Sequence, residues 1–259
     1  MLIKTFIPTL VLSLLAPFAL AETVAKTYPV KDFTEFVAGG DTTIEITQDG
    51  TEYLRVEADA EVMKRVKVDQ TGKRVSVWIK SDSNFFNWFG HGEGRVRVVL
   101  RVKHLEYLEL SGAAHAKVGD LQEDKLEVSN SGAANADFAV LNAANFRLDL
   151  SGASNVRINS INSQTQDYDL SGAANVDVKG GSNTQSLKAD VSGASNFRAK
   201  ALTAKIAKVD ASGASHIELT VTDELEAGAS GASSVNYFGN PKAKTDSSGA
   251  SHINARSGK

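Results

Sequence analysis

Four aspartates recur at one place in four successive repeats of the sequence pattern. Asp149, Asp169, Asp190 and Asp210 each stand two residues before a Ser-Gly-Ala triplet. If successive repeats stack as strands, their carboxylates lie about 5 Å apart. Like charges that close repel unless solvent or a cation relieves them. The row therefore reads either as a solvated outward column or as a weak cation site of the Ca²⁺ kind, or a carboxylate cluster facing glycans. Weak cation binding is the expectation taken forward.

A second candidate is the segment from Ser83 to Gly94, where Phe85, Phe86, Trp88 and Phe89 crowd between glycines. These aromatics either fold back as a plug against an open end of the fold or form an exposed tip that contacts glycan, lipid surface or a partner. Two further sets look chemical and are better explained by structure. His115, Asn135, Asn155, Asn175, Asn196, His216, Ser234 and His252 share one place in the repeat. The histidines never fall in adjacent repeats and no cysteine completes a ligand set, so a ladder of amide hydrogen bonds is expected rather than a metal centre. The serine of the triplet occurs eight times, never within Gly-x-Ser-x-Gly, and an active site needs one nucleophile. Its hydroxyl is expected to bond backbone at a turn.

The elements that would position these groups follow from the repeat. Ser-Gly-Ala begins at residues 111, 131, 151, 171, 192, 212, 230 and 248, at intervals of 18 to 21 residues. After each triplet comes apolar-polar-apolar, as in Val156-Arg157-Ile158, which is strand periodicity. Helical spacing is absent. A period near 20 residues with strands and small-residue corners fits one coil of a parallel β-helix, and eight repeats imply about eight coils. The glycine would turn the chain at positive φ, and the alanine after it is expected to point inward.

A further column supports one coil per repeat. The outward residue between the two apolar positions reads Lys117, Asp137, Arg157, Asp177, Arg198, Glu218, Asn236, Asn254. Its sign alternates, so each charge has opposite neighbours above and below, and a slip of one coil sets like against like. That argues against a catalytic role for these acids.

Before residue 111 the segments do not repeat. Thr42–Ile46, Tyr53–Glu57, Arg74–Ile79 and Arg95–Val102 alternate and read as strands, with a helical hint at 60–67. Residues 30–110 are expected to be a β-rich section that runs into residues 111–255, the coils, and caps them, since an open end is an exposed sheet edge. Residues 22–29 read as a linker and 256–259 as a tail. Residues 1–21 combine Lys4, an apolar run from Phe6 to Phe18 and Ala19-Leu20-Ala21 before Glu22, the pattern of a cleaved signal peptide. No other segment is apolar enough to span a bilayer. The chain has no cysteine, which excludes disulfides and a lipidated-cysteine anchor, and its net charge of −3 supplies no dense patch for nucleic acid.

The chain resembles the putative auto-transporter adhesin, head GIN domain family over about residues 30–255. The resemblance is carried by Asp32-Phe33-Thr34-Glu35-Phe36, Ile44-Glu45-Ile46-Thr47-Gln48, Val56-Glu57-Ala58-Asp59, and Leu105-Glu106-Tyr107-Leu108-Glu109-Leu110-Ser111-Gly112 leading into the serial triplets. It implies an all-β fold, a right-handed parallel β-helix like that of pectin lyases without their catalytic residues, and a role in cell adhesion. The family typically writes the repeat Gly-Ser-Gly; Ser-Gly-Ala here leaves the fold reading intact.

The expected function is an exported, non-enzymatic, adhesion-like envelope protein in the periplasm, on the outer-membrane surface or outside the cell. Its expected partners are a glycan, a cell-surface molecule or an envelope protein, with no nucleic acid and no cofactor. The competing readings are a carbohydrate-active lyase or hydrolase on the same fold and a periplasmic envelope scaffold. An enzyme would need a unique acid pair or basic set breaking the repeat on one face, and the sequence contains no such break.

Overall fold

The computed structural model describes residues 23–80 and 95–257. Residues 1–21, expected to be a signal peptide, and the Phe85, Phe86, Trp88, Phe89 cluster lie outside the described residues. The described residues form twenty strands in one continuous sheet and a single short helix, Ala60–Arg65. The sheet winds into a parallel β-solenoid of about seven turns, close to the eight expected.

The repeat register carries the winding. Asn135, Asn155, Asn175, Asn196, His216, Ser234 and His252 pair in that order, one per turn. Within a turn, alternate residues face in and out, as in Asn135–Leu150, where Ala136, Phe138, Leu141, Phe146, Leu148 and Leu150 are buried. The interval changes from repeat to repeat are absorbed where the register shifts, at residues 181–184 and 199–206.

Each corner turns on its glycine. Gly112, Gly132, Gly152 and Gly172 have φ of 71, 73, 72 and 80°, the left-handed region that suits glycine. Successive glycines also stack so closely that a Cβ on Gly152 would stand 2.5 Å from the Gly132 carbonyl oxygen. The alanine of the triplet does not point inward as expected. Ala113, Ala133 and Ala153 are exposed, and the residue after each, Ala114, Ala134 or Ser154, is the buried one. Positive φ at glycine swings the next Cβ outward and delays the inward position by one residue.

The N-terminal section contributes turns of its own. Strands Glu35–Ala38 and Thr42–Gln48 flank Gly39-Gly40 and pair in parallel with Tyr107–Leu110 and His115–Val118. Gly40, at φ 85°, lies beneath Gly112. One turn further out, Arg74–Ile79 and Val96–Val102 pair in parallel with the same two strands. Antiparallel strands finish this end: Val66–Thr71 on Arg74–Ile79, Tyr53–Asp59 on Val96–Val102, and Thr23–Tyr28 on Tyr53–Asp59. The helix adds buried Val62 and Met63. At the other end Lys242–Ser247 is exposed along its length.

The interior is filled by side chains. Phe146, Tyr168 and Phe197 stack along the interior with ring centroids 5.8 and 4.6 Å apart. Fully buried Tyr168 donates its hydroxyl to Gln166 Oε1 at 2.6 Å, and Gln166 Nε2 donates to Thr184 Oγ1 at 2.7 Å. Burial pushes the Tyr168 phenol well above its usual pKa. Among the described residues, Asn130 and Thr42 depart from this satisfaction, and the buried Thr42 Oγ1 has no hydrogen-bond partner. Asn130 takes the place that Leu110 and Leu150 occupy in the adjoining turns, is 1% exposed, and neither its Oδ1 nor its Nδ2 has a hydrogen-bond partner.

Candidate functional site: the outer columns and grooves

The outward side chains stack into columns because every turn repeats the same in-out alternation. Asp149, Asp169, Asp190 and Asp210 are adjacent in four successive turns, in the expected register. Their surroundings hold cations that the column alone does not reveal. Arg147 donates from Nε and Nη2 to the two Asp149 oxygens at 3.0 and 2.9 Å and reaches Asp167 at 2.7 Å. Lys188 bridges Asp190 and Asp167. Hydrogen bonding to Asp149 and to Asp190 raises the Arg147 and Lys188 pKa values, as paired cations require. Asp210 lies over Gly228, where a Cβ would stand within 2.2 Å of its Oδ1. Among the described residues no group of three or more His, Cys, Asp or Glu side chains is placed to hold a metal ion.

The amide column is a hydrogen-bonded ladder. Asn155 Nδ2 donates to Asn135 Oδ1 at 2.9 Å, Asn175 to Asn155 at 3.0 Å, and Asn196 to Asn175 at 2.8 Å. His216 Nδ1 meets Ser234 Oγ at 2.7 Å. Among the triplet serines, Ser171 and Ser192 donate to the carbonyls of Leu150 and Leu170. These groups are occupied in holding the turns together.

The alternating charge column pairs from Lys117 through Asn254 in the expected order, and it starts one turn earlier than the repeat shows. Glu45 lies in register with Lys117. Arg97 Nη2 donates to both Glu45 oxygens at 3.1 and 2.9 Å, and Arg157 reaches Asp137 at 3.4 Å.

Among the described residues, two of the concavities interrupt the columns. One, about 540 Å³, lies over the antiparallel end and is lined by Tyr53, Arg55, Glu57, Arg97 and Arg101 among others. Its charges are already paired: Arg55 and Arg97 with Glu57, and Arg101 with Asp49. The other, about 620 Å³, runs across a corner of four turns and is lined by Gln122, Asp124, Asn142, Asn162, Gln164 and Gln185 around a floor of Ala143 and Ser163. Gln122, Asn142 and Asn162 are in register. Reading by triplets passes over this groove, although 122, 142 and 162 share the 20-residue interval that could have flagged it.

The family model described as putative auto-transporter adhesin, head GIN domain, matches residues 32–241, most of the chain. The chain belongs to this family. A putative adhesin from Parabacteroides merdae superposes with a TM-score of 0.80 at 16% identity, over 91% of this chain and 96% of its own. A putative adhesin from Parabacteroides distasonis gives 0.77 at 18% identity, over 92% and 97%. A putative lipid binding protein from the same species gives 0.75 at 18%, over 90% and 96%. At these identities the GIN-domain likeness is one of fold. No curated protein matches the chain.

Proposed function

We propose that this GIN-domain chain is an exported, non-enzymatic, adhesion-like envelope protein that uses its outer faces for binding. The supporting observation is how the polar side chains are spent. The amide ladder, the alternating charges and the Arg147 and Lys188 pairs tie these side chains to one another in register, which supports a binding surface over a reacting centre. Among the described residues no helix is long and apolar enough to cross a membrane. Residues 1–21, with their positive start, apolar run and Ala-Leu-Ala end, support export. The family description and the neighbours described as adhesins support adhesion.

Two measurements test the reading. The full chain with a C-terminal tag, expressed in a Gram-negative host, should fractionate outside the cytoplasm with its mass shortened by the leader; full-length cytoplasmic protein would contradict export. Beads coated with the purified protein should bind cells or isolated envelopes. Beads that behave like albumin-coated controls would contradict adhesion, and release of new reducing ends from polysaccharides would favour the enzyme instead.

A further inference from the structure

The structure assigns a neutral-saccharide subsite to the groove across residues 122–124, 142–144, 162–164 and Gln185. The inference deepens the adhesion reading by naming a ligand class, and it rests on that reading only for its biological setting.

Two rows of amides differ in one respect. Asn135, Asn155, Asn175 and Asn196 spend their amides on one another. In the groove, the side-chain amides of Gln122, Asn142 and Gln164 make no hydrogen bond among the described residues, although Gln122 and Asn142 are neighbours in register. These amides are exposed or half-buried, so leaving them unpaired costs little, and they stay available to a ligand. A primary amide offers two donors and an acceptor, the same mixture that a sugar's adjacent hydroxyls present in return.

Shape and charge narrow the class. Ala144 holds the outward place that Asp124 and Gln164 hold in the adjoining turns, and its short side chain, with buried Ala143, leaves the hollow between longer neighbours. The volume of about 620 Å³ is that of a small-ligand cleft. Among the described residues no lysine or arginine lines it, whereas Glu123 and Asp124 do. Glu123 is spent on structure, accepting from the Leu105 amide and from Gln48 Nε2, both at 2.7 Å, and so fixes a negative charge at one end. Uronic acids, sialic acids and phosphates are thereby disfavoured. An extended peptide fits less well. The backbone here is already paired between turns, as in Gln164 N to the Ala144 carbonyl at 3.1 Å and Gln185 N to the Gln164 carbonyl at 2.9 Å, so no strand can add. The groove is open and shallow, so single contacts are weak and many copies are needed for retention.

The test displays the purified protein at high density on beads against immobilised neutral hexose and N-acetylhexosamine oligosaccharides, with sialylated and uronic-acid oligosaccharides alongside. Neutral oligosaccharides should be retained and acidic ones should not. Asn142→Ala combined with Gln164→Ala should lower retention about tenfold or more, as the loss of a few ligand hydrogen bonds implies. Ala144→Trp, which fills the hollow, should abolish it. Asn155→Ala, in the occupied ladder, should leave it unchanged. Equal melting temperatures establish that the groove variants are folded. Failure to retain any neutral oligosaccharide, retention indifferent to both groove variants, or preference for acidic sugars overturns the subsite. Cell binding that survives the groove variants sinks the subsite and spares adhesion. Retention of neutral sugars that depends on Asn142, without cell binding, does the reverse.

Discussion

A methyl group on Gly172 would stand 2.6 Å from the carbonyl oxygen of Gly152, its counterpart in the preceding turn. Gly172 also has φ of 80°, a region that costs an L-residue about 1–2 kcal/mol. Gly172→Ala combines that strain with a backbone clash that relaxes only if two turns part, itself about 1–3 kcal/mol. The expected loss of about 2–5 kcal/mol should appear as a lowered midpoint in equilibrium urea unfolding. Ala173→Ser, at the exposed neighbouring position, should leave the midpoint nearly in place.

Asn130 predicts the opposite sign. A buried amide with no partner keeps its desolvation cost, about 1–3 kcal/mol. Leucine occupies the same place in the turns on either side, so Asn130→Leu should raise stability by about that amount. A thermal melt that shifts down would mean that the amide is satisfied by internal water.

The alternating column predicts a salt-sensitive defect. Arg157 stands between Asp137 and Asp177 and is well exposed. Arg157→Asp sets three like charges in a row and should cost about 0.5–1.5 kcal/mol at low ionic strength. Arg157→Gln should cost less. The gap between the two variants should shrink as sodium chloride is raised, because exposed charges are screened. A gap indifferent to salt would assign the defect to packing of the arginine stem.

Tyr107 predicts an alkaline limit. Burial, aided by the hydrogen bond to Glu109 at 3.0 Å, pushes its phenol up to about 12. In the unfolded chain tyrosine titrates near ~10. The folded state therefore holds this proton more tightly. Its contribution is fully present below pH ~10 and is lost as pH rises towards 12. Burial of Tyr168 acts in the same direction. Urea midpoints should be level from pH 7 to 9 and fall above 10, and Tyr107→Phe should make that fall shallower. An unchanged slope in the variant would remove Tyr107 from the account.

The turns from residue 111 onward are legible in the sequence because the alternation, the triplet and the charge column repeat at one interval. The earlier turn at Glu35–Gln48 is hidden, since its corner reads Gly39-Gly40. The structure explains why: only the glycine at positive φ is demanded by the corner, while the triplet alanine faces solvent and is free to vary. Arg147 and Lys188 could have been paired with Asp149 and Asp190 from the sequence, because residues two apart on a strand share a face. The groove is harder to see. Spacing aligns Gln122, Asn142 and Asn162, but the hollow depends on where Ala143 and Ala144 fall at a corner, which periodicity does not give. Asn130 is visible as a break in the Leu-Ser-Gly-Ala pattern, yet its missing partners emerge only once the turns are stacked.

The charge column has a consequence for how such a chain can change length. Deleting or duplicating one turn between Glu45 and Glu218 would bring two like charges face to face, whereas removing or adding two turns would keep the order intact. Parity is thus built into the lateral surface, and this stretch should grow or shrink in pairs. Past Glu218 the column continues as Asn236 and Asn254, which carry no sign, so the distal end is where single turns can come and go.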